Sequence, residues 1–490
     1  MITLKPESPT PLISQIIDGV RELVASHALK PGAKVPSIRA FAARHSVSVF
    51  TVVEAYDRLV AQGVLVSRAN QGFFVCRRDE DGPIAQPVAV ASSGIGATRR
   101  PSFNDVWYLQ QIFENRTLPM KPGCGWLPND WLFEDAVRRS FRQVAAEGLR
   151  LGGYGDPMGH LPLRTHIAHS LEHKQQILVR PAQVLFSHGS SQALDWAVRS
   201  LVKPGDTVLV DNPGYPNLMN ILRFQGARLL GVPRTPSGYD LEELQRLLHQ
   251  HRPRVFFTQP RLQSPSGSRA SLSQLHRLLQ MANQYDLTLV ENDLYADMDD
   301  ENQPSLASLD QLQRVVYVGS FSKTISPNLR VGFMLANPDW MARLAHLKML
   351  SGLTSSEVAE KLVYNVVTDG RWRKHLKSLR DRLKAGHEEV SLRLHSHGFE
   401  PFYEPNEGMY IWARHPAVAD SAELASAATA EGIMFGPGQL FLVDGAPTGW
   451  LRFNVAYSQD RAIWDWLERY LHHPGARNQT GAPGLAASRH

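Results

Sequence analysis

Val315-Val316-Tyr317-Val318-Gly319-Ser320-Phe321-Ser322-Lys323-Thr324 decides how this chain is read. A β-branched and aromatic run predicts a strand over 315–319. Directly behind it stand two serines and a lysine, and Arg330 follows. An apolar strand that opens onto hydroxyls and an amine has a site at its carboxyl end. Similar runs predict strands at 183–187, 207–211, 228–232, 254–259, 288–293 and 332–335. Amphipathic helices fall between them at 191–202, 241–251 and 271–284. Strands alternating with helices over this length predict an α/β body built on a mainly parallel sheet, covered on both faces. Such sheets bind ligands at the carboxyl ends of their strands.

The other strand ends also carry polar residues. Ser187-His188-Gly189-Ser190-Ser191-Gln192 opens a helix, and free amides at a helix N-terminus suit a phosphate. Asn212-Pro213-Gly214-Tyr215 presents a ring on a turn, and Ser264-Pro265-Ser266-Gly267 makes another turn. Glu291-Asn292-Asp293-Leu294-Tyr295 supplies acid, amide and phenol, and Arg452 sits within the apolar run Trp450–Asn454. Alone, a lysine after a strand is usually solvated and an Asp-x-Tyr is usually a turn. Together and in this order, they match the needs of pyridoxal 5′-phosphate: an amine for the aldehyde, a partner for the pyridine nitrogen, a stacking face, and hydroxyls with an arginine for the phosphate.

The first 76 residues read differently. Ile13, Ile16, Ile17, Val20, Leu23 and Val24 paint one helix face, which Pro31-Gly32 stops. Ser37 and Ser48 are placed to cap two further helices. Val64-Leu65-Val66, a polar turn and Gly72-Phe73-Phe74-Val75 predict a hairpin. This is a winged helix-turn-helix. Its third helix, led by Val49, Phe50 and Thr51, is the element expected in the major groove of double-stranded DNA. Ser37, Arg39 and Ser48 are placed for phosphates, with Arg68 and Gly72 on the wing. The blander alternative is a three-helix docking module with a solvated basic face.

The module resembles the GntR family of bacterial repressors. The motifs that carry the likeness are Lys30-Pro31-Gly32, Val35-Pro36-Ser37-Ile38-Arg39, Val47-Ser48, Ala55-Tyr56 and Gly72-Phe73-Phe74-Val75. Phe50 departs from the polar residue usual there and implies contact with a thymine methyl or a sugar. The body resembles the fold-type-I, aspartate aminotransferase-like enzymes, a sheet domain with a smaller C-terminal lobe. That likeness implies an internal aldimine at Lys323, with Ser190, Ser191, Ser320, Ser322 and Arg330 around the phosphate. It implies Tyr215 stacked on the ring, Tyr295 on the phenolic oxygen, and Arg452 as a clamp for a substrate-type carboxylate. Tyr154 would reach the phosphate of a neighbouring subunit. Ser264 stands where the superfamily usually has Asn. For the pyridine nitrogen, strand register favours Asn292 and charge favours Asp293; we take Asp293, because only a carboxylate keeps a pyridinium protonated.

Reader and body joined in one chain resemble the MocR subfamily of transcription regulators. That implies a head-to-tail homodimer whose body senses pyridoxal phosphate, or its adduct with an amine or amino acid. A working aminotransferase with an appended reader, and a body that has lost the cofactor and serves only to dimerise, are the alternatives. The expected division is 1–76 for the reader, 77–104 for a linker, 105–472 for the body and 473–490 for a disordered tail. A flexible linker of that length spans on the order of 30 Å.

Composition agrees and excludes other classes. The 490 residues exceed one ordinary domain, and 43% hydrophobic with 20% charged is ordinary for globular protein. Two cysteines, Cys76 and Cys124, make neither a disulfide framework nor a cysteine zinc site, so no metal is expected. No run is apolar enough to span a membrane, and Met1 to Thr10 lack a signal-peptide layout, so a cytoplasmic protein is expected. The net charge is +5. Residues 1–78, the reader and the first two linker residues, hold ten Lys and Arg against five Asp and Glu, so the basic excess belongs to this N-terminal segment.

Overall fold

The computed structural model describes residues 4–76 and 118–472, apart from 6, 9, 27, 69–70, 149–151, 300–302 and 405. The expected linker and tail lie outside the described residues. The chain forms two compact units, taken separately below.

In the first unit, helices α1 (Leu12–Ala25), α2 (Ile38–His45) and α3 (Val49–Ala61) precede strands β1 (Leu65–Arg68) and β2 (Gly72–Val75). Ser37 caps α2 by accepting from the Ala40 amide, and Ser48 caps α3 by accepting from Thr51. Ser46, at φ 52°, turns the chain between them. Ile16, Val20, Phe41, Val52, Tyr56 and Leu59 close a core against Leu65 and Val75 of the hairpin. Tyr56 keeps its hydroxyl satisfied by donating to the Pro36 carbonyl at 3.0 Å. The hairpin is in register with Leu65 opposite Val75 and Arg68 opposite Gly72.

The second unit is built on eight strands: β3 (Val184–His188), β4 (Thr207–Asn212), β5 (Arg228–Thr235), β6 (Gly238–Tyr239), β7 (Val255–Thr258), β8 (Thr288–Asn292), β9 (Val315–Ser320) and β10 (Val331–Leu335). Their order is β3-β10-β9-β8-β7-β4-β5-β6. The links β9-β8, β8-β7, β7-β4 and β4-β5 are parallel. β10 runs against both of its neighbours, and β6 runs against β5. The strand predicted at 332–335 is thus antiparallel within a mainly parallel sheet.

Side chains alternate across the sheet, and both faces are buried. Leu209, Phe256, Leu289, Val315, Tyr317 and Phe333 face one core; Val210, Phe257, Val290, Val316, Val318 and Met334 face the other. The smaller lobe holds β11 (Glu400–Pro401), β12 (Tyr410–Arg414), β13 (Gly436–Pro437) and β14 (Trp450–Asn454), all antiparallel. The helices Trp372–Ser396 and Arg461–His472 bury Leu383, Val390, Trp464 and Leu467 against that sheet. β14 carries Arg452 back towards the carboxyl ends of the large sheet.

Candidate functional site

Those strand ends enclose a cavity of about 880 Å³. It is lined by Ser190, Ser191, Tyr215, Ser264, Tyr295, Ser322, Lys323, Arg330 and Arg452, all expected from the sequence. β3 ends at His188, and Gly189 behind it, with φ 78°, turns the chain into the helix Ser190–Leu201. A Cβ on Gly189 would lie 2.5 Å from the Arg330 guanidinium. Glycine therefore lets the guanidinium close on the helix N-terminus, where backbone amides face outward. Arg330 itself has φ 54° and donates to the His188 carbonyl at 2.9 Å. The Ser322 hydroxyl is buried without a partner among the described residues, and its amide donates to Ser320 Oγ at 3.2 Å. Ser320 is not in the lining; it braces Ser322 from behind.

Lys323 points its amine at the Gly125 carbonyl. Enclosure, and then the Arg452 guanidinium, lower its pKa to about 8. Arg452 donates to the Gly123 carbonyl at 2.6 Å and to Ser264 Oγ at 3.2 Å, with its guanidinium 4.5 Å from the Tyr410 ring centre. Ser264 therefore braces the arginine as well as lining the cavity. The Tyr295 hydroxyl donates to Tyr410 at 3.2 Å, and burial raises its pKa well above the ordinary phenol value. Tyr215 caps the helix Pro216–Phe224 at the end of β4. Asp211, near that end, is fixed by Thr258 Oγ1 at 2.9 Å and the Gln259 amide at 2.8 Å.

The expected acid is displaced. Asn292 lines the cavity and Asp293 does not. The pleat explains it: Asn292 shares its face with Val290, whereas Asp293 falls on the face of Leu289 and Tyr317. There Asp293 pairs with Arg261 Nε at 2.9 Å and accepts from the Tyr317 hydroxyl at 3.0 Å. The charge argument for Asp293 is thus corrected by strand register. Tyr154, expected to serve a neighbouring subunit, is 81% exposed and does not line this chain's own cavity.

The segment Lys121 to Leu127 was missed. Lys121, Gly125, Trp126 and Leu127 line the cavity, and the carbonyls of Gly123 and Gly125 take Arg452 and Lys323. Asn454 pins this segment by donating to the Trp126 carbonyl at 2.7 Å. Gly123-Cys124-Gly125 was its one visible signal. Tyr410 and Phe441, from the smaller lobe, also carried no motif.

On the reader, Phe50 is 76% exposed at the start of α3, and Arg39 is exposed on α2. Ser48 and Thr51 share a hydroxyl contact at 2.7 Å, so both serve the cap. Arg68 on β1 packs its guanidinium 5.0 Å from the Phe74 ring centre. Among the described residues, no helix is long and apolar enough to cross a membrane, and no cluster of metal-ligating side chains occurs.

Residues 12–75 match the family of bacterial regulatory proteins of the gntR family, and residues 127–466 match aminotransferase class I and II. A 2-aminoadipate transaminase of Thermus thermophilus is 31% identical over 73% of this chain and 92% of its own. A probable rhizopine catabolism regulatory protein MocR of Rhizobium meliloti is 29% identical over 89% of this chain and 88% of its own. An α-aminoadipate aminotransferase of Thermus thermophilus, solved with N-(5′-phosphopyridoxyl)-L-leucine, superposes with a TM-score of 0.67 at 26% identity. That superposition covers 74% of this chain and 95% of the solved one.

Proposed function

The chain belongs to the aminotransferase class I and II family and carries a gntR-family reader ahead of that body, and from this premise we propose that it is a MocR-type transcription regulator. Its body holds pyridoxal phosphate and senses an amine or amino acid through it. The observation that carries this reading is one cavity that gathers a helix N-terminus, Lys323, Tyr215, Arg330 and Arg452. The residues fit the group: the buried Ser322 hydroxyl lacks a partner among the described residues, and Gly189 leaves room for Arg330 beside the helix amides. When bound, the cofactor supplies an aldehyde that holds amines.

The residues divide the work. The amides of Ser190 and Ser191, the Ser322 hydroxyl and Arg330 hold the phosphate. Tyr215 lies against the ring, and Lys323 offers its amine. Arg452, already oriented by Gly123 and Ser264, receives a carboxylate. A ligand moves the reader only as far as it binds one arrangement of the chain better than another. The assembly is a head-to-tail homodimer acting in the cytoplasm on double-stranded operator DNA.

The test is footprinting of the full chain on its operator with and without pyridoxal phosphate, then with added amino acids. A footprint indifferent to both sinks the sensor reading. A second reading, a working aminotransferase, is favoured by the pairing of Lys323 with Arg452 in one cavity; steady amino-acid turnover would promote it.

Two further outcomes follow. Only the unprotonated Lys323 amine attacks an aldehyde, and its pKa is lowered to about 8. Capture of pyridoxal phosphate should therefore quicken about tenfold per pH unit below that point and level off above it. Stopped-flow absorbance checks this; a midpoint at the ordinary lysine value contradicts it. On the reader, Phe50→Ala should weaken operator binding by about 1–2 kcal/mol, part of what burying a phenylalanine ring contributes. The exposed ring supports no core, so the melting of the reader should not move. Unchanged affinity in a titration would remove Phe50 from the interface.

A further inference from the structure

Asn292 stands at the end of β8 inside the cavity, with its side-chain oxygen buried and without a partner among the described residues. Among the described residues, the charged ones lining the cavity are Lys121, Lys323, Arg330 and Arg452, and no carboxylate lines it. The nearby acids are spent elsewhere. Asp293 is held on the opposite face by Arg261 and Tyr317, and Asp211 is held by Thr258, the Gln259 amide and, at 3.7 Å, Arg234.

A buried ring nitrogen keeps a proton only if a carboxylate compensates the charge. Neighbouring cations push the same equilibrium towards the neutral ring. By turning, the amide can donate its N–H to a neutral pyridine nitrogen or accept from a protonated one with its unpartnered oxygen, but in neither case does it bring the charge that would keep the proton on the ring.

Resting on the reading above that the cavity holds pyridoxal phosphate, we infer that Asn292 faces the ring nitrogen and leaves it unprotonated, so that the site retains amines without converting them. An unprotonated ring is a weak electron sink. The reaction it suppresses is the half-transfer in which an amino acid and pyridoxal phosphate become a 2-keto acid and pyridoxamine phosphate. The amino acid is oxidised in that step and the cofactor is reduced. The sheet, the lysine and the carboxylate clamp of an aminotransferase are all retained. One amide in place of an acid turns that framework from turnover to occupancy.

The test loads the full chain with pyridoxal phosphate carrying ¹⁵N in the ring and reads the nitrogen shift by NMR, for wild type and Asn292→Asp. Wild type should show an unprotonated ring nitrogen across the range in which the protein is folded, and Asn292→Asp a protonated one. The variant should also run the half-transfer at least about 100-fold faster, the scale of one well-placed electrostatic partner. A wild type that binds the cofactor and shows a protonated ring nitrogen overturns this inference and leaves the sensor reading standing. A wild type that takes up no cofactor overturns both. Because the wild-type shift decides by itself, a variant that fails to fold does not shelter the proposal.

Discussion

Lys323→Ala is expected to abolish the visible absorbance that pyridoxal phosphate gives when the wild-type chain takes it up. Lys121 lines the same cavity, but Lys323 is the one enclosed with its amine on the Gly125 carbonyl and its pKa lowered to about 8. The two largest causes are enclosure, which disfavours the ammonium, and Arg452, which adds like-charge repulsion. The phosphate site does not depend on this lysine. The helix N-terminus, Ser322 and Arg330 remain, so the variant should still bind the cofactor, as its free aldehyde with the spectrum of the unbound cofactor, and release it on simple dialysis. Operator binding should keep its basal affinity for DNA, while any response to amines should now require pyridoxal phosphate to be kept in the buffer. The check is a spectrum before and after dialysis beside a footprint. A persistent visible band would move the covalent role to another residue.

The sheet was legible because its strands are runs of β-branched and aromatic residues, and the polar residues stand just past their ends. Ser190, Tyr215, Lys323, Arg330 and Arg452 could be placed for the same reason: each follows or sits in a run whose period is plain. Three things were not legible. The direction of β10 leaves no mark in a four- or five-residue apolar run. Gly125 and Tyr410 enter the cavity from elements distant in sequence, brought there by β14 and Asn454. The choice between Asn292 and Asp293 turned on two physical arguments that disagreed, and strand parity outweighed charge. Parity wins because a one-residue slip would push Leu289 and Val290 into each other's cores and swing Glu291 away from the Leu306 and Ala307 amides, from which it accepts at 2.9 and 2.8 Å. A carboxylate at 293 could instead find Arg261, which the sequence places on a turn with nothing to mark it as a buried partner.

That partner supports the second large effect. Arg261→Met is expected to destabilise the body by about 3–5 kcal/mol, the usual cost of stripping a buried charge of its counter-ion. Arg261 is buried and serves two acids: Nε lies 2.9 Å from Asp293 and Nη1 2.7 Å from Asp299. Arg269, 2.7 Å from Asp299, compensates only one of them. All ten tryptophans lie beyond residue 105, so urea unfolding followed by tryptophan fluorescence reads the body and not the reader. Arg414→Met is the control. Its ion pair with Glu400 has both side chains about half exposed, and an exposed pair is worth about 1 kcal/mol or less. The pH dependence has a definite sign. Burial already raises the Asp293 carboxyl above its ordinary value, and Arg261 is the main influence lowering it. Without Arg261 its folded pKa rises further, so the folded state holds a proton that the unfolded chain releases. Stability is then intact at low pH and lost as pH rises. The deficit of Arg261→Met should be small near pH 4 and grow towards pH 8. A deficit that is flat across that range, or no larger than that of Arg414→Met, would mean that Asp293 is not held by charge and that its turn away from the cavity has another cause.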